Sequence, residues 1–300
     1  MTIHERQTIL LTGANGQVGF GLMRSLQGLG NVIAFDRAGL DLGDLDQVRC
    51  AVREVKPNMI VNAAAYTAVD LAETDVSAAM RLNAEVPGVL AEEAERLGAA
   101  LIHYSTDYVF DGIKDGAYVE DDATNPQNVY GRSKFAGEQA IAAAGCAHLL
   151  FRTSWVYGTR GKNFLLTMLR LGASREEINV VVDQLGAPTW ANTIATLTGN
   201  VLSQAIGQEN GARAEWWRKN SGVYHLTASG VTSWHGFAEA IFALVEGEKK
   251  PAVHPIPASS YPTPATRPAN SRLSNDKLAN TFGVRAPDWR DALCLCMASR

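Results

Sequence analysis

Tyr130 and Lys134 are the two side chains in this 300-residue sequence whose types and spacing are best suited to acid–base chemistry. They stand in the segment Tyr-Gly-Arg-Ser-Lys, and the i, i+4 spacing places both on one face of a helix. A free phenol titrates near ~10, and a neighbouring ammonium favours the phenolate. We therefore expect Tyr130 to exchange a proton with a substrate, with Lys134 lowering its pKa and holding the ribose of a cofactor.

Thr106 is the third candidate catalytic residue. It follows the apolar segment Ala99–Ser105, which the pattern predicts to be a buried strand. Ligands of doubly wound sheets bind at the carboxyl ends of the strands. The Thr106 hydroxyl is therefore placed to hold a reacting carbonyl oxygen beside Tyr130.

A glycine-rich turn follows the first predicted strand, Thr8–Thr12, and opens a helix. Its spacing is G-x-x-G-x-x-G, which allows a tight turn and the close approach of a pyrophosphate to the helix N-terminus. This pattern predicts a dinucleotide site in which the turn contributes Gly13, Asn15, Gly16, Gln17, Val18 and Gly19.

Two adjacent residues at the end of the next strand point to different cofactors. Asp36 is suited to the ribose 2′-hydroxyl of NADH, whereas Arg37 is suited to the 2′-phosphate of NADPH. The sequence leaves both cofactors open. We expect Asp41 and Leu42 to flank the adenine, and the small residues Ala63, Ala64 and Ala65 to let backbone pass close to the dinucleotide.

Strand and helix patterns alternate through the first half of the chain, and the strands are continuously apolar. This alternation predicts an α/β fold with a Rossmann-type doubly wound parallel sheet. We assign residues 1–153 to this cofactor-binding domain and residues 154–300 mainly to a smaller C-terminal α/β substrate-binding lobe, with later segments returning to the sheet. The predicted helix Pro87–Leu97 has Gly98 at its C-cap position.

The pattern is looser after Arg152. Six prolines between Pro251 and Pro268 predict an extended surface loop. The remaining expected elements are helices Asn163–Ala173, Asn192–Ala205 and Ser233–Val245, and strands Asn179–Val182 and Val223–Leu226.

Composition excludes several classes of protein. The chain has 27 basic and 31 acidic residues, a net charge of −4, which argues against a strongly basic nucleic-acid or membrane-surface protein. Four cysteines are too few and too unevenly spaced for a secreted disulfide scaffold. The sequence also lacks an apolar run of ~18–20 residues, the length of a membrane span. We expect a cytoplasmic protein with neither nucleic-acid nor membrane partners.

Several long sequence blocks, taken together, resemble the dTDP-4-dehydrorhamnose reductase family over almost the whole chain. They are Thr12–Gly19, Val61–Asp70, His103–Phe110, Asn128–Lys134, Phe151–Tyr157, Asn163–Phe164, Asp183–Thr189, Tyr261–Pro264 and Arg267–Leu273. The resemblance implies reduction of the 4-keto group of a dTDP-6-deoxy-4-hexulose by NADPH or NADH, the last step of dTDP-L-rhamnose synthesis for cell-surface polysaccharide. It makes Tyr130 the acid, Lys134 its partner and Thr106 the residue that holds the carbonyl.

Candidate substrate contacts follow from these blocks. Arg267 and Arg272 carry charges suited to a diphosphate. Trp155 is about as well suited to packing in the hydrophobic core as to contacting substrate. Trp216, Trp217 and Trp234 are interpreted as packing residues. The complete set of expected substrate contacts is Thr106, Asp107, Trp155, Asn163, Gln184, Thr189, Arg267 and Arg272.

Metal binding is one point at which the sequence departs from the family. Some members dimerise through a Mg²⁺ ion held by glutamates, and the matching positions here are Gly21 and Asn192. A glycine offers no side-chain ligand and an amide is a weak ligand for a hard cation. We therefore expect no metal site, and either a monomer or a homodimer without a metal bridge.

Two other functions stay open on the sequence alone. One is a reductase or epimerase acting on another nucleotide 4-keto sugar. A 4,6-dehydratase is disfavoured because Tyr108, not glutamate, follows Thr106-Asp107. The other is a non-catalytic regulatory subunit with a reductase fold, which has no need of an intact Thr106, Tyr130 and Lys134 set.

Overall fold

A computed structural model describes residues 6–247 and 250–300. Within these ranges, six parallel strands form one sheet, and three further pairs of short strands lie outside it. The strands are β1 (Gln7–Thr12), β2 (Gly30–Phe35), β3 (Met59–Asn62), β4 (Ala100–Thr106), β5 (Ala147–Thr153), β6 (Val156–Tyr157), β7 (Glu177–Val181), β8 (Leu185–Gly186), β9 (Thr189–Trp190), β10 (Gly222–His225), β11 (Thr232–Ser233) and β12 (Ala252–Ile256).

The order of the large sheet is β10-β5-β4-β3-β1-β2. The chain moves from β1 to β2 in one direction and then to β3 on the other side of β1. The carboxyl ends of β1 and β3 therefore form the switch point at which such sheets bind ligands. Their register pairs Thr12 with Asn62, and Asn62 in turn with His103 of β4.

Helices cover both faces of this sheet, as the predicted doubly wound fold requires. The helices are α1 (Gln17–Ser25), α2 (Leu45–Val55), α3 (Val69–Ala72), α4 (Val76–Met80), α5 (Val86–Leu97), α6 (Val129–Ala144), α7 (Phe164–Gly172), α8 (Ala191–Ile206), α9 (Asn210–Asn220), α10 (Trp234–Ala243), α11 (Asp276–Phe282) and α12 (Trp289–Ala298). A π-helical segment, Arg81–Glu85, joins α4 to α5, and short 3-10 turns span Asp107–Val109 and Ala258–Ser260.

Alternate residues of the central strands supply two separate cores. Ile9 and Leu11 pack with helices α1, α8, α9 and α11, whereas Leu10 packs with α2, α5 and α6. All seven residues of β4 are buried, which is typical of a parallel strand covered on both faces. The helix C-cap predicted at Gly98 is confirmed, with a φ of +65°.

A third core lies among residues of the second half of the chain and includes Tyr157, Phe237 and Trp289. Strand β10 also belongs to the second half of the chain, but it pairs with β5 in the large sheet. The proline-rich segment was expected to be a loop, and this was wrong for residues 252–256. They form β12 in parallel with β7, because a strand at the edge of a two-stranded pair tolerates Pro255. The sequence analysis also left α9, α11 and α12 unassigned.

Candidate active site

A cleft of about 1260 Å³ opens at the carboxyl ends of β1, β3 and β4. It reaches from the glycine-rich turn to Trp234, so one continuous space joins the expected cofactor and substrate regions. The predicted site residues that line it are Gly13, Asn15, Gly16, Gln17, Val18, Asp36, Arg37, Asp41, Leu42, Ala63, Ala64, Ala65, Thr106, Asp107, Tyr130, Lys134 and Trp155.

The glycine-rich turn has the shape that a pyrophosphate needs. Gly13 has a φ of +72°, and a Cβ there would lie 2.7 Å from the Ala64 nitrogen. Helix α1 begins directly after Gly16, which has no side chain to cap the first N–H groups. Gly16 and Gln17 line the cleft, and uncapped N–H groups at a helix N-terminus fit an anionic ligand.

Gly19, a predicted cofactor contact, is not among the residues that line the cleft. A Cβ at this position would lie 2.0 Å from the Gly13 carbonyl oxygen. Gly19 instead allows helix α1 to pack closely against the turn, which is the usual role of the third glycine in such motifs.

The Asp36 carboxylate is held in place by its neighbours. The Asn15 side-chain amide donates to one carboxylate oxygen at 2.7 Å, and the backbone N–H groups of Ala38 and Gly39 donate to the other at 3.0 Å each. Arg37 is exposed on the cleft wall. The carboxylate and guanidinium therefore both border the region where an adenosine ribose would lie.

Thr106 and Tyr130 come together from two elements. Thr106 ends β4, and its hydroxyl donates to the Asp107 carboxylate at 3.0 Å and accepts from the Tyr108 N–H at 3.2 Å. Tyr130 lies in the first turn of α6, whose N-cap, Asn128, accepts from the Gly131 N–H at 2.7 Å. A Cβ at residue 131 would lie 2.3 Å from the Tyr108 carbonyl oxygen, so this glycine lets the helix approach the loop that carries Thr106.

The ionisable groups of the site are buried, and burial dominates their pKa values. Burial raises the pKa of Tyr130 to about 12; the Asp107 carboxylate adds to this, and a hydrogen bond with Thr106 opposes it. Burial raises the pKa of Asp107 to about 6, against hydrogen bonds with Ser271 and Thr106. Burial lowers the pKa of Lys134 to about 8, against the charge of Glu138.

The Lys134 side chain is hydrogen-bonded to β4. Its Nζ donates to the Tyr104 carbonyl oxygen at 2.6 Å and lies 3.1 Å from His103 Nε2. The structure gives no lowering of the Tyr130 pKa by the Lys134 charge, because burial outweighs other effects on the phenol. The expectation of a Tyr130 pKa lowered by Lys134 is therefore wrong for this arrangement.

Trp155 and Trp234 form one wall of the cleft. Their rings stack with centroids 3.6 Å apart and planes 9° apart. The sequence analysis assigned Trp234 to packing alone, and this was wrong, because α10 presents its first residue to the cleft. By contrast, Trp217 is 8% exposed and lies in the first core with Trp216 packed at its edge, as expected.

Two predicted substrate contacts are engaged in holding the fold. Thr189 is fully buried, and its hydroxyl donates to the Ala187 carbonyl and accepts from the Ala228 N–H. Asn163 caps helix α7, and its amide nitrogen donates to Gln17 Oε1 at 2.8 Å. Asn163 therefore ties α7 to the glycine-rich turn and does not line the cleft.

Two further predicted substrate contacts lie outside the cleft wall. Gln184 is half-buried beside β8 and is not among the lining residues. The Arg272 guanidinium donates to Asn270 Oδ1 at 2.8 Å and lies 3.9 Å from Asp115. Their contact with substrate stays a prediction.

Arg267 remains near the site. One guanidinium nitrogen donates to Asp70 at 2.6 Å, and a second, Nη1, is buried without a hydrogen-bond partner. The guanidinium also lowers the pKa of Tyr108, a cleft residue whose pKa burial raises. A buried, unpartnered N–H group beside the cleft is suited to an anionic ligand.

Sequence reasoning missed two cations on the cleft wall, Arg81 and Lys162. Arg81 opens the π-helical segment and pairs with Glu85. Lys162 directly precedes the N-cap of α7, a position that the helix boundary could have revealed. Both place a positive charge on the cleft wall.

Gly21 and Asn192 pack against each other between α1 and α8. A Cβ at residue 21 would lie 3.0 Å from Asn192 Oδ1. Among the residues that the structure describes, no three His, Cys, Asp or Glu side chains are grouped closely enough to hold a metal ion. In the same residues, no helix is long and apolar enough to cross a membrane.

The family model described as "RmlD substrate binding domain" matches residues 7–300. The chain is 53% identical over 295 residues to the dTDP-4-dehydrorhamnose reductase of Burkholderia thailandensis, covering 96% of this chain and 97% of that one. It is 45% identical over 290 residues to the reductase of Escherichia coli, covering 94% of each. This chain belongs to the dTDP-4-dehydrorhamnose reductase family.

Solved structures of the dTDP-4-dehydrorhamnose reductase family agree in fold. The Bacillus anthracis reductase, solved in complex with NADP, is 34% identical, with a TM-score of 0.89 over 99% of this chain and 100% of that one. The Clostridium acetobutylicum reductase is 36% identical with the same TM-score, over 97% and 99%. A Thermus thermophilus UDP-glucose 4-epimerase is 18% identical, with a TM-score of 0.78, and shares the fold.

Proposed function

We propose that this protein is a dTDP-4-dehydrorhamnose reductase that uses NADPH or NADH to convert dTDP-4-dehydrorhamnose to dTDP-L-rhamnose. The observation that carries the proposal is one cleft that joins the glycine-rich turn to the hydroxyls of Thr106 and Tyr130. The names of its relatives at 45–53% identity support the same substrate.

The cofactor end is built for a dinucleotide. The open N-terminus of α1 and the turn at Gly13 bind the pyrophosphate, and Ala63–Ala65 form the floor beneath the cofactor. When bound, the reduced nicotinamide supplies the hydride that adds to the carbonyl carbon of the substrate. Lys134, which lines the same cleft, would hold the nicotinamide ribose.

We assign the proton donor of the reaction to Tyr130. With a pKa of about 12, the phenol is protonated at neutral pH and can donate to the carbonyl oxygen as negative charge develops there. Thr106 supplies a second hydroxyl to the same oxygen. With a pKa of about 8, Lys134 is mainly charged at neutral pH. The hydrogen bond with Thr106, which lowers the Tyr130 pKa, stabilises the phenolate that Tyr130 leaves behind.

The sugar nucleotide lies between the C-terminal lobe and the sheet. We assign the sugar to the space bordered by Trp155 and Asp107, and the diphosphate to Arg267 with its buried, unpartnered Nη1. This assignment divides the chain as the sequence suggested, with residues 1–153 binding cofactor and residues 154–300 mainly binding substrate.

We also propose a cytoplasmic enzyme that is a monomer or a homodimer without a metal bridge. Its four cysteines, all within the described residues, are unpaired, as in proteins of a reducing compartment. The close packing of Gly21 on Asn192 leaves no carboxylate at the positions where relatives hold Mg²⁺.

The decisive experiment mixes the purified protein with NADPH and dTDP-4-dehydrorhamnose and follows the loss of cofactor absorbance. We expect oxidation that depends on both reagents and yields dTDP-L-rhamnose. Tyr130→Phe serves as the control for contaminating reductases. Faster turnover of a UDP-linked or differently configured 4-keto sugar would reassign the substrate, and cofactor binding without turnover of any 4-keto sugar would favour a regulatory role.

A further inference from the structure

Lys134 is connected through hydrogen bonds to three buried polar side chains at the carboxyl end of the sheet. They are His103, Asn62 and Thr12. His103 Nε2 lies 3.1 Å from the lysine Nζ, and His103 Nδ1 lies 3.1 Å from the amide nitrogen of Asn62. Asn62 Oδ1 accepts from the Thr12 hydroxyl at 2.6 Å. Thr12, Asn62 and His103 are each 1% exposed and are register neighbours on β1, β3 and β4.

The orientation of the Asn62 amide is set by its other neighbour. The backbone N–H of Ala64 points at Asn62 Oδ1 from 3.3 Å, so this atom must be the oxygen. The amide NH₂ therefore faces His103 Nδ1 and donates to it. A neutral imidazole that accepts at Nδ1 carries its proton on Nε2.

This tautomer has a consequence for Lys134. The N–H at His103 Nε2 points at the lysine Nζ, and an ammonium has no lone pair to accept it. A neutral amine accepts this hydrogen bond and still donates to the Tyr104 carbonyl. The hydrogen-bond arrangement in the structure is thus that of an uncharged lysine.

An ammonium at Lys134 requires the opposite arrangement. It donates to His103 Nε2, so the imidazole proton moves to Nδ1 and needs an oxygen opposite it. The Asn62 amide must then turn over, and the Ala64 N–H loses its acceptor. Ala64 lies on the cleft floor directly against Gly13. Protonation of Lys134 therefore removes a hydrogen bond from the backbone of the predicted cofactor-binding loop.

We propose that His103 is a positioning residue that couples the charge of Lys134, through Asn62, to the cofactor-binding loop at Ala64. The tautomer of His103 and the orientation of Asn62 change together when the lysine gains or loses its proton. This role rests on the proposed reductase function for its catalytic meaning, but the coupling itself is a property of the folded chain.

The other titratable groups around Lys134 and His103 are Glu138, Tyr130 and Asp107, and none of them hydrogen-bonds to His103 in the described residues. Glu138 lies one turn beyond Lys134 on α6 and is held by Arg152 of β5 in a buried ion pair, with Nη2 2.6 Å from Oε2. Tyr130 lies one turn before Lys134, and Asp107 follows β4. Burial and the charge of Lys134 both keep the pKa of His103 well below its usual value, so the imidazole stays neutral and acts through its tautomers.

Nitrogen NMR of histidine-labelled protein tests the coupling without any substrate. The His103 signals are assigned by their loss in His103→Gln. We expect the Nε2–H tautomer at pH 9.5 and the Nδ1–H tautomer at pH 6.5, with the change centred near the Lys134 pKa of about 8. Lys134→Met is expected to remove the change. One tautomer at both pH values, or an imidazolium at pH 6.5, would overturn the proposal whether or not the protein is a reductase.

A second test uses a fixed acceptor opposite His103. Asn62→Asp holds the proton on Nδ1, which favours the ammonium form of Lys134 and raises its pKa. We expect the kcat–pH profile of the wild type to have an alkaline limb that follows the Lys134 pKa of about 8. In Asn62→Asp this limb should move up by about one unit. Asn58→Asp, at the opposite end of the sheet, adds the same charge and should leave the limb in place. An unmoved limb in folded Asn62→Asp would contradict the coupling, because a merely structural residue does not shift it.

Discussion

The indole of Trp234 stacks on that of Trp155 with ring centroids 3.6 Å apart and planes only 9° apart. Trp155 has a φ of +49°, a left-handed conformation that costs a non-glycine residue roughly 1–2 kcal/mol. Gly186 makes room for it, since a Cβ there would lie 2.7 Å from the indole ring. Trp234 therefore stabilises a strained residue at the substrate end of the cleft.

Trp234→Leu is expected to weaken substrate binding while sparing the cofactor. Loss of an aromatic pair worth about 0.5–1.5 kcal/mol predicts a KM for the sugar nucleotide about three- to tenfold higher. Steady-state kinetics with a separate measurement of NADPH affinity checks this. Trp216→Leu, which removes an indole far from the cleft, is the matched control. An unchanged KM in Trp234→Leu would show that the stack does not serve substrate binding.

Tyr130→Phe is expected to lower kcat by roughly 10²–10⁴-fold, because it removes the general acid. Cofactor affinity should remain near normal, since the ring and Lys134 are kept. Tyr104→Phe makes the same chemical change at a hydroxyl that bonds to Thr198, and it should retain most of kcat. A Tyr130→Phe enzyme with more than half of wild-type kcat would remove Tyr130 from the mechanism.

Asp107→Asn is expected to raise the free energy of unfolding at neutral pH. The folded pKa of about 6 exceeds the usual 3.8, so ionisation of this buried carboxyl destabilises the fold increasingly as pH rises from about 4 to 6 and constantly above that. The amide lacks this penalty, which is on the order of 1–3 kcal/mol. Denaturant unfolding at pH 4 and pH 7 should show a gain at pH 7 that shrinks at pH 4. An equal effect at both pH values would mean that folding does not raise the pKa of this carboxyl.

Cofactor choice is expected to be weak, with less than about tenfold preference between NADPH and NADH, because tenfold corresponds to only ~1.4 kcal/mol. Arg37→Ala should shift use toward NADH by removing a phosphate contact. Asp36→Ala should shift it toward NADPH, although it also frees Asn15. The ratio of kcat/KM for the two cofactors measures both effects. Absolute dependence of the wild type on one cofactor would contradict this balance.

Removal of divalent metal is expected to change neither activity nor assembly. The family resemblance places the expected Mg²⁺-binding positions at Gly21 and Asn192, which here pack together and offer no carboxylate. Sedimentation and turnover measured with and without EDTA test this directly, with restoration by added Mg²⁺ as the control. A dimer that dissociates only after metal is removed would place a metal site elsewhere on the chain.

The sequence by itself determined the parts of this protein that depend on local chemistry. The turn at Gly13–Gly19 follows from glycine's freedom at positive φ, and the spacing of Tyr130 and Lys134 follows from the helical repeat. Continuous apolar strands alternating with helices were sufficient to predict the doubly wound sheet and the placement of Thr106 at its carboxyl edge.

Tertiary structure alone decided which side chains reach the cleft and how they are charged. Thr189 stands in a block typical of the family, yet its hydroxyl is engaged by the fold, whereas Trp234 reaches Trp155 across 79 residues of chain. Lys134 turns to His103 because two strands bring that imidazole beneath it. Contacts of this kind depend on chain paths far apart in sequence, and burial then sets pKa values that residue type and spacing do not contain.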